Sequence, residues 1–212
     1  GVARDKFFLT TKIFPDDMKF EPEKLIAAAK RSLENLDTDY VDLLLLHWPD
    51  DRVPLSETMP ALCELQKQGL TRNIGVSNFN IANIIEAKKY ADVPISVNQV
   101  EFHPFIKQNT LQTFLNNHHI LLEAYSPLAR GDVFDNEVIK EIADKHGITP
   151  AQVSLAWILS DKQRIAIPKT SNPEHLQGNL DAVKVTLSAD ELEKIGSLAR
   201  SDGRKIKHPD YS

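Results

Sequence analysis

The chain has 212 residues, 42% hydrophobic and 26% charged, and its 25 Lys+Arg against 30 Asp+Glu leave a formal net charge of −5. These values suit a globular chain able to bury a sizeable core and exclude the disordered and fibrous classes. They also argue against a protein whose main business is neutralising nucleic-acid phosphates or anionic lipid, while leaving room for a local basic pocket for a small anion.

Strand-like and helix-like segments alternate from end to end. Residues 7–11 read as a short buried strand, followed by a helix over 22–36 with Pro22 in its first turn and Leu25, Ala29, Leu33 and Leu36 on one face. Residues 41–46 form a near-continuous apolar strand of the kind buried on both faces. Ser56 offers an N-cap for a helix to Gln68, which Gly69 is placed to end. A short strand over 73–76 precedes a helix capped by Asn80 and carrying Ile81, Ile84, Ile85 and Ala87. A strand over 94–100, a helix over 111–118 and a strand over 120–124 come next. A polar loop then leads to a helix over 137–145 stopped by Gly147, and Thr149-Pro150 starts another. A sixth strand over 164–167, a helix over 173–180 and a last helix with a Ser188–Glu191 capping box complete the pattern. No repeat or long linker interrupts it, so residues 1–212 are expected to form a single domain.

Buried strands separated by helices imply a parallel sheet with both faces covered. An open doubly wound sheet and a closed (β/α)8 barrel both fit that description. The open sheet would be favoured by a Gly-rich turn after the first strand, and Phe7-Phe8-Leu9-Thr10-Thr11-Lys12 leads instead to Ile13-Phe14-Pro15. The strand ends favour the barrel. They finish in Lys12, His47-Trp48, Ser77-Asn78, Asn98-Gln99, Tyr125-Ser126 and Lys169-Thr170, side chains that a buried strand does not need. In a (β/α)8 barrel the carboxyl ends of all strands converge on one rim, where active sites sit.

The residues at these ends resemble a known family. Leu9-Thr10-Thr11-Lys12, Asp42-Leu43-Leu44-Leu45-Leu46-His47-Trp48-Pro49, Asn73-Ile74-Gly75-Val76-Ser77-Asn78-Phe79, Asn98-Gln99-Val100-Glu101-Phe102-His103-Pro104, Ala124-Tyr125-Ser126-Pro127-Leu128 and Ile167-Pro168-Lys169-Thr170 are similar, in order and spacing, to aldo-keto reductases. The flavour is that of the bacterial diketogluconate reductase or small-aldehyde reductase type. The resemblance implies reduction of aldehydes and ketones by NADPH on a (β/α)8 TIM barrel, here represented by about six of its eight strand–helix units. It matches Lys12 to the lysine that lowers the pKa of a tyrosine proton donor, and His47 to the histidine that orients the carbonyl oxygen. Ser77, Asn78 and Gln99 match the groups that hold the nicotinamide carboxamide, and Tyr125 the aromatic that stacks on the ring. Ser126 and Leu128 match the pyrophosphate loop, and Trp48 a wall of the substrate pocket. Lys169 and Thr170 match the contacts to the 2′-phosphate.

Two departures bear on the cofactor. His175 stands where the family carries an arginine, and Gly178 where it carries an adenine-contacting acid, although Asn179 is kept. A neutral imidazole offers no bidentate fork, so preference for NADPH is expected to weaken and NADH to be used as well. The resemblance also assigns the proton-donating tyrosine and its aspartate to two strand–helix units ahead of the strand ending in Lys12. The sequence opens Gly1-Val2-Ala3 without those units, and the expectation is that the gene product carries them. None of Tyr40, Tyr90, Tyr125 and Tyr211 fits the donor position.

Other features read as structural. Cys63 is expected to be a buried, reduced thiol. The seven histidines show no metal-ligand spacing, and His118-His119 cannot both face one ion on a helix. Asp16-Asp17 and Asp50-Asp51 are expected to be solvated turn residues, with substrate contact second. His103 could line the rim or pack, and Arg204-Lys205-Ile206-Lys207 reads as a solvated segment. The longest apolar run, Leu43-Leu44-Leu45-Leu46, is far short of the ~20 residues that span a bilayer. With no leader evident, a cytoplasmic protein is expected, a monomer or weak homo-oligomer acting on a small carbonyl substrate without nucleic acid or membrane. Two competing functions remain: a nicotinamide-binding module without turnover, and a phosphate-handling barrel of another family.

Overall fold

A computed structural model describes residues 1–15 and 20–206, so Asp16-Asp17, Lys207 and Tyr211 lie outside the described residues. The chain divides into two compact units, Gly1–Asn98 and Gln99–Ser212.

In the first unit, β1 (Thr10–Ile13), β2 (Val41–Leu46) and β3 (Thr71–Ser77) lie side by side in that order. Both pairings are parallel, with Thr10 opposite Leu43 and Leu43 opposite Asn73. Every residue of β2 is buried, as an apolar run covered on both faces must be. Its one carboxylate, Asp42, accepts from Arg4 Nη2 at 2.8 Å and Leu9 N at 2.9 Å. Burial alone would raise the Asp42 pKa; these bonds and the guanidinium charges of Arg4 and Arg72 outweigh it and hold the carboxyl below its ordinary value. The same contacts correct the first strand. Arg4 and the Leu9 N–H bond to the Asp42 carboxylate, the Leu9 carbonyl accepts from Asp42 N and Leu43 N, paired register starts at Thr10, and Phe7 and Phe8 are exposed.

Helices α1 (Pro22–Asn35), α2 (Leu55–Lys67) and α3 (Ile81–Tyr90) follow the three strands. Pro22 opens α1, whose buried face is Leu25, Ala28, Ala29 and Leu33; Leu36 falls just past the helix and is exposed. Ser56 is not the cap of α2. Pro54, already fixed near φ −65°, leads into the helix two residues earlier. Cys63 lies on the buried face of α2, as expected. Asn80 and Asn83 form a reciprocal capping box at the start of α3. Ile84 and Ala87 are buried there, whereas Ile85 is on the outer face.

β4 (Ile95–Glu101) begins in the first unit and ends in the second. The second unit continues with α4 (Asn109–Asn117), β5 (Leu121–Tyr125), α5 (Glu137–His146), α6 (Pro150–Leu159), β6 (Arg164–Ala166), α7 (Pro173–Asp181) and α8 (Ala189–Gly196). β5 and β6 pair in parallel, Ala124 opposite Ala166. Gly147 at φ +64° ends α5 in the left-handed region, and capping boxes Thr149/Gln152 and Ser188/Glu191 open α6 and α8. The core here gathers Val133, Ile139, Ile142, Val153, Ala156, Leu187 and Ile195. Where a polar loop is expected after β5, residues Ala129–Phe134 make tight 3-10 turns. Among the described residues no helix is long and apolar enough to cross a membrane.

Gly75, in the middle of β3, is required by a close approach rather than by its dihedral angles. A Cβ there would stand 2.6 Å from Leu45 Cδ2 and 2.7 Å from Val97 O, and the latter is backbone that cannot step aside. Gly75→Ala is expected to cost about 2 kcal/mol by overpacking, read as a lowered midpoint in urea; an unchanged midpoint would show that β3 and β4 can separate without loss.

Candidate active site

In the first unit the strand ends link His47, Ser77 and Asn78 through hydrogen bonds, with Trp48 beside His47 and Lys12 on the neighbouring β1. Lys12 is the third residue of β1, opposite Leu45. His47 is the first residue beyond β2, and its backbone N–H donates to Ile13 O at 2.9 Å, tying the ends of the two strands. The His47 ring meets Phe14 edge-on, with centroids 5.3 Å apart, and lies beside the Trp48 indole, itself buried. Ser77, fully buried, closes β3, and Asn78 turns into the left-handed region at φ 62°. That turn lets Asn78 Nδ2 donate to His47 O at 3.0 Å and to Ser77 Oγ at 3.1 Å. A non-glycine residue held at positive φ by specific bonds is the kind of local strain that functional sites carry.

Asp50 is not a solvated turn residue. Its carboxylate is buried, accepts from Arg52 Nε at 2.7 Å and Nη2 at 3.1 Å, and receives Phe20 N at 3.3 Å. Arg52 also donates to Pro15 O at 2.8 Å. This clamp fastens the loop after β2 to both ends of the loop after β1. The local pattern Asp50-Asp51-Arg52 hinted at an ion pair, but not that it would be buried; Asp51 stays exposed.

The second unit holds the remaining candidates. Gln99, 2% exposed on β4, donates through Nε2 to Glu123 on β5. Tyr125, the last residue of β5, is half-buried, and its carbonyl accepts from Phe102 N at 3.3 Å. Ser126 follows at φ 49°, and Ala129, Arg130 and Gly131 are also left-handed, so the segment 126–131 is a compact coil. Ser154 on α6 braces it by donating to Pro127 O at 2.8 Å, while Leu128 packs on the core.

Strand β6 ends at Ala166, earlier than the sequence suggests, and Ile167 N donating to Ala124 O is the last contact there. Lys169 and Thr170 therefore stand in a loop. Lys169 is exposed, and Thr170 Oγ1 accepts from Asn172 N at 3.0 Å, just ahead of the α7 start that Asn172 caps. His175 and Asn179 lie four residues apart on α7 and so share a face.

His103 packs and does not line a rim. It is fully buried, its Nε2 lies 2.9 Å from Glu101 Oε1, and its Nδ1 accepts from Phe105 N. Glu101 also receives Lys205 N at 2.6 Å and Ile206 N at 3.0 Å, so residues 205–206 are anchored rather than loosely solvated. No group of three or more His, Cys, Asp or Glu among the described residues is placed to hold a metal ion.

The model of the aldo/keto reductase family matches residues 1–200. The chain belongs to this family. It is 40% identical over 210 residues to a glyoxal reductase of Bacillus subtilis strain 168, spanning 99% of this chain and 74% of that protein. A crystal structure of a protein provisionally named 2,5-diketo-D-gluconic acid reductase B matches with a TM-score of 0.95 at 36% identity, over 100% of this chain and 76% of that one. A variant of Gox0644 in complex with NADPH matches with a TM-score of 0.89 at 37% identity, over 99% of this chain and 76% of that one. Strands alternating with helices, matched along the whole chain, are consistent with the six units of a (β/α)8 barrel expected from the sequence.

For an aldo-keto reductase the state of Tyr125 matters, because hydride transfer to a carbonyl needs a proton donor. Burial, and then the Glu101 carboxylate, push its phenol up to about 12. That is the wrong direction for an acid meant to work near neutrality. Tyr125→Phe is expected to leave the pH–rate profile of carbonyl reduction unchanged between about pH 6 and 10; loss of a limb of that profile would make Tyr125 the donor.

Proposed function

We propose that this aldo-keto reductase reduces small aldehydes and ketones, 1,2-dicarbonyls such as glyoxal and methylglyoxal among them, with NADPH as its preferred hydride source and NADH as a weaker one. The observation that carries this reading is the cluster at the ends of β1, β2 and β3, where His47 is bonded to Ile13 on one side and Asn78 on the other. The dicarbonyl substrates are suggested by a relative named glyoxal reductase. When bound, the reduced nicotinamide supplies the hydride.

The side chains present fit such a cofactor chemically. Gln99 brings a buried amide matched to a carboxamide, and Ser77 and Asn78 bring a hydroxyl and a second amide. Lys169 and Thr170 bring a cation and a hydroxyl next to the N-terminus of α7, a combination suited to a phosphate. In this reading Tyr125 offers its ring face to the nicotinamide, and Ser126 and Leu128 shape the coil that meets the pyrophosphate. His47 orients the carbonyl oxygen, Trp48 walls the substrate, and Lys12 serves to lower the pKa of a tyrosine proton donor. His175 and Asn179 contact the adenosine end.

A second reading, binding without turnover, draws on the tyrosines. Tyr40 gives its hydroxyl to a contact with Arg72 Nη2 at 2.8 Å ahead of β2, Tyr90 ends α3, and Tyr125 holds its proton too tightly. Mixing the protein with NADPH and methylglyoxal separates the two. Consumption of NADPH, slowed at least about 100-fold by His47→Leu, is expected; quenching of tryptophan fluorescence by NADPH with no consumption would select the binding module instead.

Cofactor choice has its own test. His175→Arg adds a fixed guanidinium fork at the first turn of α7. The dissociation constant for NADPH is expected to fall about tenfold while that for NADH stays within about twofold. Equal constants in parent and variant for both nucleotides would remove residue 175 from 2′-phosphate recognition.

A further inference from the structure

Strands β4 and β5 carry polar side chains at alternate positions, Gln99 and Glu101 on one and Glu123 and Tyr125 on the other. Residues two apart on a strand share a face, and the bond from Gln99 to Glu123 joins the two rows into one ladder. Glu123 is 5% exposed, between Leu122 and Ala124, which are fully buried. Burying a carboxylate there is costly unless its oxygens are hydrogen-bonded, and Gln99 Nε2 supplies one such bond.

What it does follows from donor and acceptor chemistry. A glutamine amide has a donor end and an acceptor end of nearly equal size, and a half-turn about its last bond exchanges them. A carboxylate oxygen accepts, and Nε2 is the end of the amide that donates to Glu123 Oε2; Oε1 therefore points the other way. We propose that Glu123 is a positioning residue: it locks the Gln99 amide so that Oε1 is the end offered to the N–H donors of a primary carboxamide, that of the nicotinamide. This rests on the nicotinamide-nucleotide reading above. With the amide locked, binding need not select one of two orientations, and the nicotinamide end is gripped in a single pose.

The test uses two ligands that differ only in the group Gln99 is meant to hold. NADPH has a nicotinamide; 2′-phospho-ADP-ribose does not. Both are titrated by tryptophan fluorescence against the parent, Glu123→Leu and Glu123→Gln, with circular dichroism to confirm folding. Glu123→Leu removes the acceptor and is expected to raise the dissociation constant for NADPH about tenfold while leaving that for 2′-phospho-ADP-ribose within about twofold. Glu123→Gln keeps an acceptor oxygen but loses the one-way rule, so a rise of about threefold for NADPH alone is expected; this variant carries the test by itself if Glu123→Leu does not fold. In a Gln99→Leu background, Glu123→Leu is expected to add nothing further. Equal weakening of both ligands, or of neither, would overturn the positioning role and leave the nucleotide reading intact. Failure of the parent to bind either ligand would overturn that reading, and the positioning role with it.

Discussion

Parallel pairing through β2 is the constraint on which the first half of the site depends. Strands that run the same way must all leave the sheet at the same edge, so whatever follows β1, β2 and β3 emerges side by side. Register decides which side chains those are. Leu44, Leu45 and Leu46 are essentially inaccessible, and each contributes about 1.5–3 kcal/mol by leaving water. A slip of one residue would exchange the faces of the strand. Holding that register places His47 one step beyond the buried run, beside Ile13 and Asn78.

The loops beyond the strands are held by polar groups that would be expensive to bury alone. Asp50 and Arg52 join the loops after β1 and β2, and Glu101 grips the backbone of residues 205 and 206 while holding His103. In each case a buried carboxylate receives several donors, the arrangement that makes such a group tolerable in a core. These fastenings act where local strain is also found. Asn78 and Ser126, each the first residue beyond a strand, sit in the left-handed region, a conformation that a surrounding network must hold in place. Rigid anchoring of residues next to reacting groups is what orientation in catalysis requires.

The aldo-keto reductase motifs and the polar strand ends were legible because they are local. Helix caps at Asn80, Thr149 and Ser188, and the stop at Gly147, were legible for the same reason: each is set by side chains within a few residues. The first and last strands were not. Their limits depend on Asp42 capturing Arg4 and Leu9, and on where pairing with β5 runs out. Asp50, read as solvated, is buried and receives both Arg52 and the backbone N–H of Phe20, thirty residues earlier, and no local pattern announces the second of these.

The sequence alone determined the alternation of strand and helix, the family, and which residue types stand at the strand ends, since periodicity, capping and motif spacing are properties of neighbours along the chain. Tertiary structure decided how those residues are held. The left-handed turn at Asn78, the clasp of Glu101, the raised phenol of Tyr125 and the grip of Glu123 on Gln99 all arise between segments far apart in sequence. Hydrogen bonding and desolvation depend on which groups fold brings within 3 Å or so of each other, and that is settled only when the sheet and its helices close around them.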